Sequence, residues 1–258
     1  MGERAQYHAG TFSWTDLTTP DQPAAKGFYE ALFGWEAEDM PAGEGVVYSM
    51  MRLDGQYVAA ISPQPEQQRE AGVPPMWNSY LTVESADAAL ERARALGADV
   101  HSPAFDVFEA GRMGVVQDPQ GAYFEVWQPR RHIGAGVVNR AGALTWNELY
   151  TDDVEASAGF YAEMFGWTYE DLEAAPMPYR VIKRPDGGSN GGITTMQGMP
   201  TSWLVYFGVD DVAASLAKVE ELGGRTVVGS MSVGPGQIAL VTDAQGARFG
   251  LYAGHFDD

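Results

Sequence analysis

Two acidic residues occupy matched positions in otherwise apolar segments of the sequence. Asp16 lies two residues after Trp14, and Glu148 lies two residues after Trp146. Apolar and polar side chains alternate around both residues, which predicts strands. Positions two apart on a strand share a face, so Phe12 is also expected on the face of Trp14. Each carboxylate is therefore expected beside an indole, where burial is costly unless the group is paired.

A carboxylate in such surroundings suits two different roles. Desolvation raises its pKa, which favours a general acid or base, so Asp16 and Glu148 are the candidate catalytic residues. The alternative is structural: the carboxylate accepts hydrogen bonds from backbone amides or from an arginine side chain. Ion-pair networks shift pKa values as catalytic sites do, and the sequence leaves both alternatives open.

A third carboxylate, Glu125, follows the turn-forming segment DPQG at 118–121. With Asp16 and Asn78 it can form a polar cluster on one face of the sheet. The alternative is a retained residue without a role, because binding an ion requires more converging oxygens. Gly250 stands at the matching position of the second half, which indicates that the fold does not require a glutamate there.

Aromatic residues dominate the other positions predicted for these faces. Bulky rings suit a flat, apolar or aromatic ligand, but the same rings can instead fill the interior and leave no cavity. Tyr48, Met50 and Arg52 can add contacts from a neighbouring strand, and Arg112 can do so as well. Salt bridges are the alternative for these two arginines and for Arg248. The residues predicted to bind the ligand are Trp14, Asn78, Tyr80, Glu125, Trp127, Trp146, Tyr206, Arg248 and Tyr252.

Composition limits the possible partners. The 258-residue chain has 16 basic and 35 acidic residues and a net charge of −19, which disfavours nucleic acid and anionic membranes as partners. The absence of cysteine excludes disulfides, thiolate metal sites and a cysteine nucleophile. We find no apolar run typical of a signal peptide or a transmembrane helix. A cytoplasmic protein is expected, with residues 1–9 as a loose polar leader.

The elements that must position these side chains are encoded twice. The segment GTFSWTDLTTPDQPAAKGFYEALFGW (10–35) returns as GALTWNELYTDDVEASAGFYAEMFGW (142–167), with its aromatic residues displaced by 132 positions. Such a fixed period is the signature of a repeated structural unit. In the first copy Phe28, Tyr29 and Phe33 fall at helical spacing and are predicted to be core residues, as are their counterparts Phe160, Tyr161 and Phe165.

Local signals divide each copy into elements. Asp21 is a predicted N-cap, and Gly34 is predicted to end the following helix. Asp54-Gly55 predicts a hairpin between two strands, and residues 62–75 predict a polar loop.

The same order of elements then returns, with a strand from Tyr80, a helix over 86–96 and further strands. Each half is thus predicted to hold two βαβββ units. The predicted boundaries are a first domain at 1–129, a linker at 130–141 and a second domain at 142–258.

The repeats resemble the vicinal oxygen chelate superfamily, which includes glyoxalase I, bleomycin-resistance proteins and extradiol dioxygenases. The resemblance rests on the helix ends FYEALFGW and FYAEMFGW, the helix stops LGAD and LGGR, and the strand pair DPQGAYFEVWQP. It implies an α+β fold of two tandem glyoxalase-like domains, in each of which paired βαβββ units form a curved, cup-shaped sheet.

The resemblance also implies where a metal would bind. Metal-using members take ligands from the first strand of each unit and a glutamate from the last strand. A divalent cation requires converging carboxylate or imidazole groups, and only Glu125 offers one at these positions, so no metal and no cofactor are expected. The matching positions hold Trp14, Asn78 and Glu125 in the first half and Trp146, Leu204 and Gly250 in the second. None of them is filled by His8, His101, His132 or His255.

These observations predict a metal-independent protein that binds a small, largely apolar organic molecule, as a monomer or a homodimer. The activity expected from the resemblance is that of a tailoring or isomerising enzyme. One alternative is a resistance protein that sequesters an antibiotic or a metabolite, as bleomycin-resistance proteins do. A further alternative is a glyoxalase-type lyase.

Overall fold

The computed structural model describes residues 2–43, 45–172, 178–233 and 236–256. The first half contains the helices α1 (Gln22–Phe33), α2 (Glu66–Glu70) and α3 (Ala86–Ala95). Its strands are β1 (Phe12–Thr19), β2 (Glu36–Pro41), β3 (Val47–Leu53), β4 (Gln56–Pro63), β5 (Met76–Thr82), β6 (Asp99–Val100), β7 (Phe105–Val107), β8 (Gly111–Gln117) and β9 (Tyr123–Pro129).

The second half repeats this plan with fewer elements. Its helices are α4 (Val154–Phe165) and α5 (Val212–Glu221). Its strands are β10 (Leu144–Tyr150), β11 (Thr168–Asp171), β12 (Tyr179–Lys183), β13 (Ser189–Thr194), β14 (Ser202–Gly208), β15 (Arg225–Val233), β16 (Gly236–Thr242) and β17 (Arg248–Ala253). Among the described residues, no helix is long and apolar enough to cross a membrane.

Each half builds one mixed, curved sheet. The first sheet has the order β2-β3-β4-β1-β5-β9-β8-β6, with β7 paired to β8, and the second has the order β11-β12-β13-β10-β14-β17-β16-β15. The strands that open the two units of a half pair antiparallel, β1 with β5 and β10 with β14. The predicted α+β class, with two paired βαβββ units in each half, is confirmed.

Local sequence explains where the first helix and the first hairpin form. Asp21 Oδ1 accepts a hydrogen bond from the Ala24 backbone N–H at 3.0 Å. Gly34 ends the helix with φ 72°, a left-handed conformation that glycine adopts without a steric cost. Asp54 and Gly55 both have positive φ, 50° and 81°, as a tight two-residue hairpin requires. These three predictions are confirmed.

Other segments differ from the prediction. The predicted loop at 62–75 contains the short helix α2, which has no buried residue and so leaves no periodic signal in the sequence. Strand β2 has five exposed positions of its six and is held by backbone pairing with β3, so it lacks the alternation that marks a half-buried strand. Strand β5 begins at Met76, ahead of the predicted start at Tyr80.

The prediction that Phe12 shares a face with Trp14 is wrong. The register of β1 against β5 shifts between these two residues. The ring of Phe12 consequently packs in the core, with its centroid 4.7 Å from that of Trp203. A β-bulge of this kind turns a side chain without changing the sequence pattern.

The N-terminal segment is not a loose leader. The Arg4 backbone N–H donates to the Gly136 carbonyl at 2.9 Å, and Tyr7 Oη donates to the Ala135 carbonyl at 2.7 Å. Both carbonyl groups belong to the predicted linker. The linker is in turn bound to strand β1, because the Ala135 N–H donates to the Ser13 carbonyl at 2.7 Å. Both segments therefore belong to the packed structure.

A hydrophobic core between the two sheets joins the halves. Tyr29 Oη on α1 donates to Asp243 Oδ2 in the second half at 3.1 Å, and it accepts from Trp77 Nε1 at 3.0 Å. The reciprocal contact is made from the second half, where Tyr161 Oη on α4 donates to Asp118 Oδ2 in the first half at 2.9 Å. Asp118 and Asp243, both buried, therefore each have a partner in the other half. The helical aromatic residues that were predicted as core pack here.

Candidate functional sites

Each sheet has one face that packs on the other half and one that turns away from it. The inner faces meet where Ser79 Oγ donates to Asn147 Oδ1 at 2.8 Å. The opposite faces contain the candidate residues of the sequence analysis. We define the first face by Trp14, Asp16, Tyr48, Asn78, Tyr80, Glu125 and Trp127, and the second face by Trp146, Glu148, Tyr150, Tyr179, Leu204, Tyr206, Gly250 and Tyr252.

Asp16 is the centre of a hydrogen-bond network on the first face. Asn78 lies opposite it in the register of β1 and β5 and donates from Nδ2 to Asp16 Oδ1 at 2.7 Å. Tyr48 Oη and Tyr80 Oη donate to Asp16 Oδ2 at 2.8 and 2.9 Å. Asp16 thus accepts from two tyrosine hydroxyls and one side-chain amide. A purely structural role was expected to involve backbone amides or an arginine side chain instead.

The protonation of this network follows from burial. Only 5% of Asp16 is exposed. Burial raises the pKa of Asp16, and the hydrogen bonds from Asn78, Tyr48 and Tyr80 oppose this rise because they stabilise the carboxylate. Burial and the charge of Asp16 both raise the pKa values of Tyr48 and Tyr80 well above the ordinary value for tyrosine. The two hydroxyls therefore stay protonated and act as donors.

Glu125 lies beside this network without joining it. It is 6% exposed, and its Oε2 atom has no hydrogen-bond partner among the described residues. Its neighbours in the register are Tyr80 on β5 and Val115 on β8. Burial first, and then the charge of Asp16, raise the pKa of Glu125 well above its ordinary value. The first face thus holds two carboxyl groups in unlike environments.

Sequence reasoning missed one residue of the first face, His132. Its ring meets that of Trp14 edge-on with the centroids 4.5 Å apart, and its carbonyl accepts from Trp127 Nε1 at 2.9 Å. Its Nε2 atom has no partner in the described part of the chain, and burial lowers its pKa to about 4. It lies in the predicted linker, where no sequence pattern marks it.

The second face has a similar network around Glu148. Tyr206 Oη donates to Glu148 Oε1 at 2.8 Å and lies 3.0 Å from Tyr150 Oη. Burial raises the pKa of Glu148, while hydrogen bonds from Tyr150, Tyr179 and Tyr206 oppose the rise. Trp146 Nε1 donates to Tyr179 Oη at 2.9 Å, as Trp14 does to Tyr48 on the first face at 3.1 Å.

Glycines make room for the tyrosines of the second face. A Cβ atom at Gly250 would lie 2.1 Å from Tyr206 Cδ1, and one at Gly192 would lie 2.1 Å from Tyr179 Oη. Gly192 belongs to strand β13. The second face therefore places a tyrosine ring over the position at which the first face has Glu125.

The predicted arginines lie apart from these networks, whereas Tyr252 packs against the cluster of Tyr150 and Tyr206. Arg112 pairs with Asp87 at 2.8 Å and with Asp106 at 3.0 Å, and Arg52 pairs with Glu38 at 3.2 Å, so the structure favours the salt-bridge alternative for both arginines. Tyr252 Oη donates to the His255 carbonyl at 2.8 Å, and Arg248 is an exposed residue at the start of β17. A surface cleft of about 460 Å³ beside Phe33 and Lys218 contains none of the predicted residues.

Comparisons with known proteins agree with this fold. Residues 11–126 match the model of the Glyoxalase/Bleomycin resistance protein/Dioxygenase superfamily, and residues 146–252 match the model of a Glyoxalase-like domain. A putative glyoxylase of Mycobacterium tuberculosis, CFP32, is 44% identical over 97% of this chain and 97% of its own length. The chain belongs to the Glyoxalase/Bleomycin resistance protein/Dioxygenase superfamily. The anthracycline biosynthesis protein DauV of Streptomyces sp. strain C5 is 31% identical, over 95% of this chain and 94% of its own.

Solved structures of superfamily members share the fold. The Mn(II)-bound glyoxalase from Novosphingobium aromaticivorans aligns with a TM-score of 0.67 at 16% identity, over 95% of this chain and 82% of that one. The 2,2',3-trihydroxybiphenyl 1,2-dioxygenase from Sphingomonas wittichii RW1 aligns with a TM-score of 0.66 at 14% identity, over 96% and 92%. At these identities the likeness concerns the fold alone.

The Novosphingobium aromaticivorans glyoxalase holds Mn(II), but the described residues at the positions that the resemblance assigns to ligands do not fit a metal. Within the described ranges, no group of three or more histidine, cysteine, aspartate or glutamate residues converges as a metal site requires. At the positions that the resemblance assigns to ligands, Trp14 and Asn78 direct N–H donors towards Tyr48 and Asp16, and a donor N–H does not coordinate a cation. On the second face Tyr206 fills the space beside Gly250.

Proposed function

We propose that the chain binds a small, largely apolar organic molecule on one of its two outer faces, without a metal, and moves a proton on it. The observation that carries the proposal is the buried carboxylate at the centre of each face. Asp16 and Glu148 are each 5% exposed and each is surrounded by indole and phenol rings. Such a carboxylate, desolvated but hydrogen-bonded, suits a general base.

The geometry also indicates how a ligand would be held. Asp16 Oδ1 accepts from Asn78, while Oδ2 accepts from two tyrosines, so Oδ1 retains the greater capacity to accept a proton. The rings of Trp14 and Trp127 lie at the same face and pack among its other aromatic rings, with 3% and 5% of each residue exposed. A planar molecule with a C–H bond made acidic by a neighbouring carbonyl group fits both features.

The relatives support this class of ligand. DauV is described as an anthracycline biosynthesis protein, and anthracyclines are flat polycyclic compounds with carbonyl and hydroxyl groups. For this chain we propose a tailoring or isomerising step on a molecule of that general shape. The net charge of −19 favours a ligand without a high negative charge. We propose that the protein works in the cytoplasm as a monomer or homodimer.

Hydrogen–deuterium exchange of 2-tetralone, a flat bicyclic ketone, tests the proposal. The wild-type protein is expected to accelerate loss of the C1 proton signal in D2O, followed by NMR. Replacing the base by a neutral isostere should reduce this rate by ~100-fold or more while binding persists. The variants are Asp16→Asn and Glu148→Gln, with the exposed Glu163→Gln as control. The variant that loses exchange identifies the reacting face, and wild-type protein that does not exceed buffer contradicts the proposal.

Sequestration without chemistry is the second candidate function. It is favoured by Glu148, whose hydrogen bonds come from three tyrosine hydroxyls that surround it. Quenching of tryptophan fluorescence by 1,4-dihydroxyanthraquinone measures binding at faces that contain Trp14 and Trp146. Tight binding together with no exchange in any variant supports sequestration. A glyoxalase-type lyase is the third candidate, and the donor set described above disfavours it.

A further inference from the structure

The surface cleft of about 460 Å³ lies where the two halves meet, and none of the described residues that line it belongs to either outer face. One wall is the last turn of α1, with Leu32 and Phe33, and the other is the start of α5, with Ala214 and Lys218. The buried Val209 lies at the same cleft. Small-molecule sites are typically mostly apolar and have volumes of roughly 300–1,000 Å³, so the cleft has the size of a ligand site.

Negative charge dominates the polar groups of the cleft. Asp210 and Asp211 both line it and are exposed. Asp211 Oδ1 caps α5 by accepting from the Ala214 backbone N–H at 2.9 Å. Among the described lining residues Lys218 is the single cation, and its Nζ atom lies 3.1 Å from Glu221 Oε2 on the same helix. The charge of Lys218 is thus compensated within α5, and a ligand in the cleft meets a negative field.

The last turn of α1 strengthens this field. The carbonyl groups at the end of a helix have no partner within the helix, and the helix dipole gives this end a partial negative charge. Helix α1 has no basic residue in its last turn. A cation supplied from outside α1 is therefore stabilised at this wall of the cleft.

The other helix contact between the halves shows such a cation in place. There α3 of the first half meets α4 of the second half, and Arg92 on α3 donates from Nε to the Glu163 carbonyl in the last turn of α4 at 2.6 Å. The Arg92 Nη2 atom also lies 3.6 Å from Glu163 Oε2. Helix α4, like α1, has no basic residue of its own in its last turn. The guanidinium group of Arg92 supplies the missing positive charge.

The internal repeat shows why α1 lacks this contact. A displacement of 126 positions places Lys218 at the position of Arg92, and a displacement of 132 places Ala31 at the position of Glu163. Alanine has no carboxylate that could hold a cation from α5, and Lys218 pairs with Glu221 instead. The end of α1 therefore does not receive the guanidinium group that the end of α4 receives.

We propose that this cleft is a second ligand site, which binds a small organic cation with a guanidinium or ammonium group on an apolar body. The cation lies at the end of α1 beside Asp210, as the guanidinium group of Arg92 lies at the end of α4. The apolar body packs on Leu32, Phe33 and Val209. The site shares no residue with the outer faces, so its test is independent of the proposed function.

Binding of phenylguanidine to the full chain, compared with binding of phenylurea, tests the proposal. The two compounds have the same shape, but phenylurea has no charge. In a 1H–15N NMR titration we expect saturable shifts of the amide signals of Phe33, Val209 and Ser215. Phenylguanidine should bind at least about fivefold more tightly than phenylurea. Shifts that do not saturate, shifts confined to other parts of the chain, or equal affinities for the two compounds would overturn the proposal.

A variant that rebuilds the contact of the other side separates occupation of the cleft from its charge. Ala31→Glu combined with Lys218→Arg supplies the glutamate and the arginine that α4 and α3 have, and it should weaken phenylguanidine binding about tenfold or more because the new guanidinium group takes the place of the ligand. The control is Ala95→Glu, which adds the same charge at an exposed position of α3 and should bind as the wild type does. Charge alone would favour the ligand in the double variant, so unchanged or tighter binding there contradicts the proposal.

Asp210 is tested by a matched pair of substitutions. Asp210→Asn should weaken phenylguanidine binding by about 2- to 5-fold, as expected for one exposed ion pair. Glu84 occupies the matching position of the first half, and Glu84→Gln removes the same charge away from the cleft. Equal affinities of these two variants would contradict the placement of the cation beside Asp210.

Discussion

Gly250 offers a sharp test of how the second face is built. In Gly250→Ala the new Cβ atom would lie 2.1 Å from Tyr206 Cδ1, a separation that side chains do not tolerate. Tyr206 must then move away from Glu148 Oε1, to which it donates at 2.8 Å, and from Tyr150 Oη at 3.0 Å. The backbone at Gly250 is not left-handed, so the steric contact is the whole cause of the effect.

The expected cost is the sum of two effects. Overpacking costs about 1–3 kcal/mol, and a buried carboxylate that loses one donor costs about 1–3 kcal/mol more. A loss of about 3 kcal/mol should lower the melting temperature by roughly 6–12 °C for a chain of this size.

Urea unfolding followed by circular dichroism provides the measurement, and Gly229→Ala provides the control. Gly229 has no atom within 4 Å of its added Cβ, so its replacement should change the free energy of unfolding by about 1 kcal/mol or less. Equal midpoints for the two variants would refute the steric argument and, with it, the claim that Tyr206 occupies the place of a glutamate.

Two further variants test burial in the first half and between the halves. Because burial raises the pKa of Glu125, the folded state keeps this proton above pH 4.5, where the unfolded state releases it. The contribution of Glu125 to the free energy of unfolding therefore falls as pH rises. Glu125→Gln should therefore gain stability relative to the wild type between pH 5 and pH 8 in urea titrations, and a constant difference would contradict the buried, protonated carboxyl group. Tyr29→Phe should cost about 1–3 kcal/mol because Asp243 and Trp77 each lose a hydrogen bond, whereas the exposed Tyr123→Phe should leave the melting temperature unchanged.

The fold was predictable because its signals are local and repeated. The cap at Asp21, the glycine stop at Gly34 and the Asp54-Gly55 hairpin each depend on a few neighbouring residues. The 132-residue period then extended these elements to the second half. Strand β2 could not be predicted, since its pairing with β3 uses the backbone and leaves its side chains exposed.

The candidate site was predictable only in part, because its geometry depends on tertiary structure. Alternation placed Asp16 beside Trp14, but the register that sets Asn78 opposite Asp16 is fixed by the pairing of β1 with β5. The contact of His132 with Trp14 depends on the path of the segment between the halves. Tyr179 had a weak signal, since it stands near the position that repeats Tyr48, and its role required the space at Gly192.

The central claim is that Asp16 and the rings around it move a proton without a metal. The metal dependence of 2-tetralone exchange tests this claim most directly. The account predicts that protein treated with EDTA and then freed of chelator exchanges at the untreated rate, and that Mn²⁺, Zn²⁺ or Fe²⁺ does not raise it. A rate that disappears on chelation and returns with one of these ions in the wild type would contradict the account.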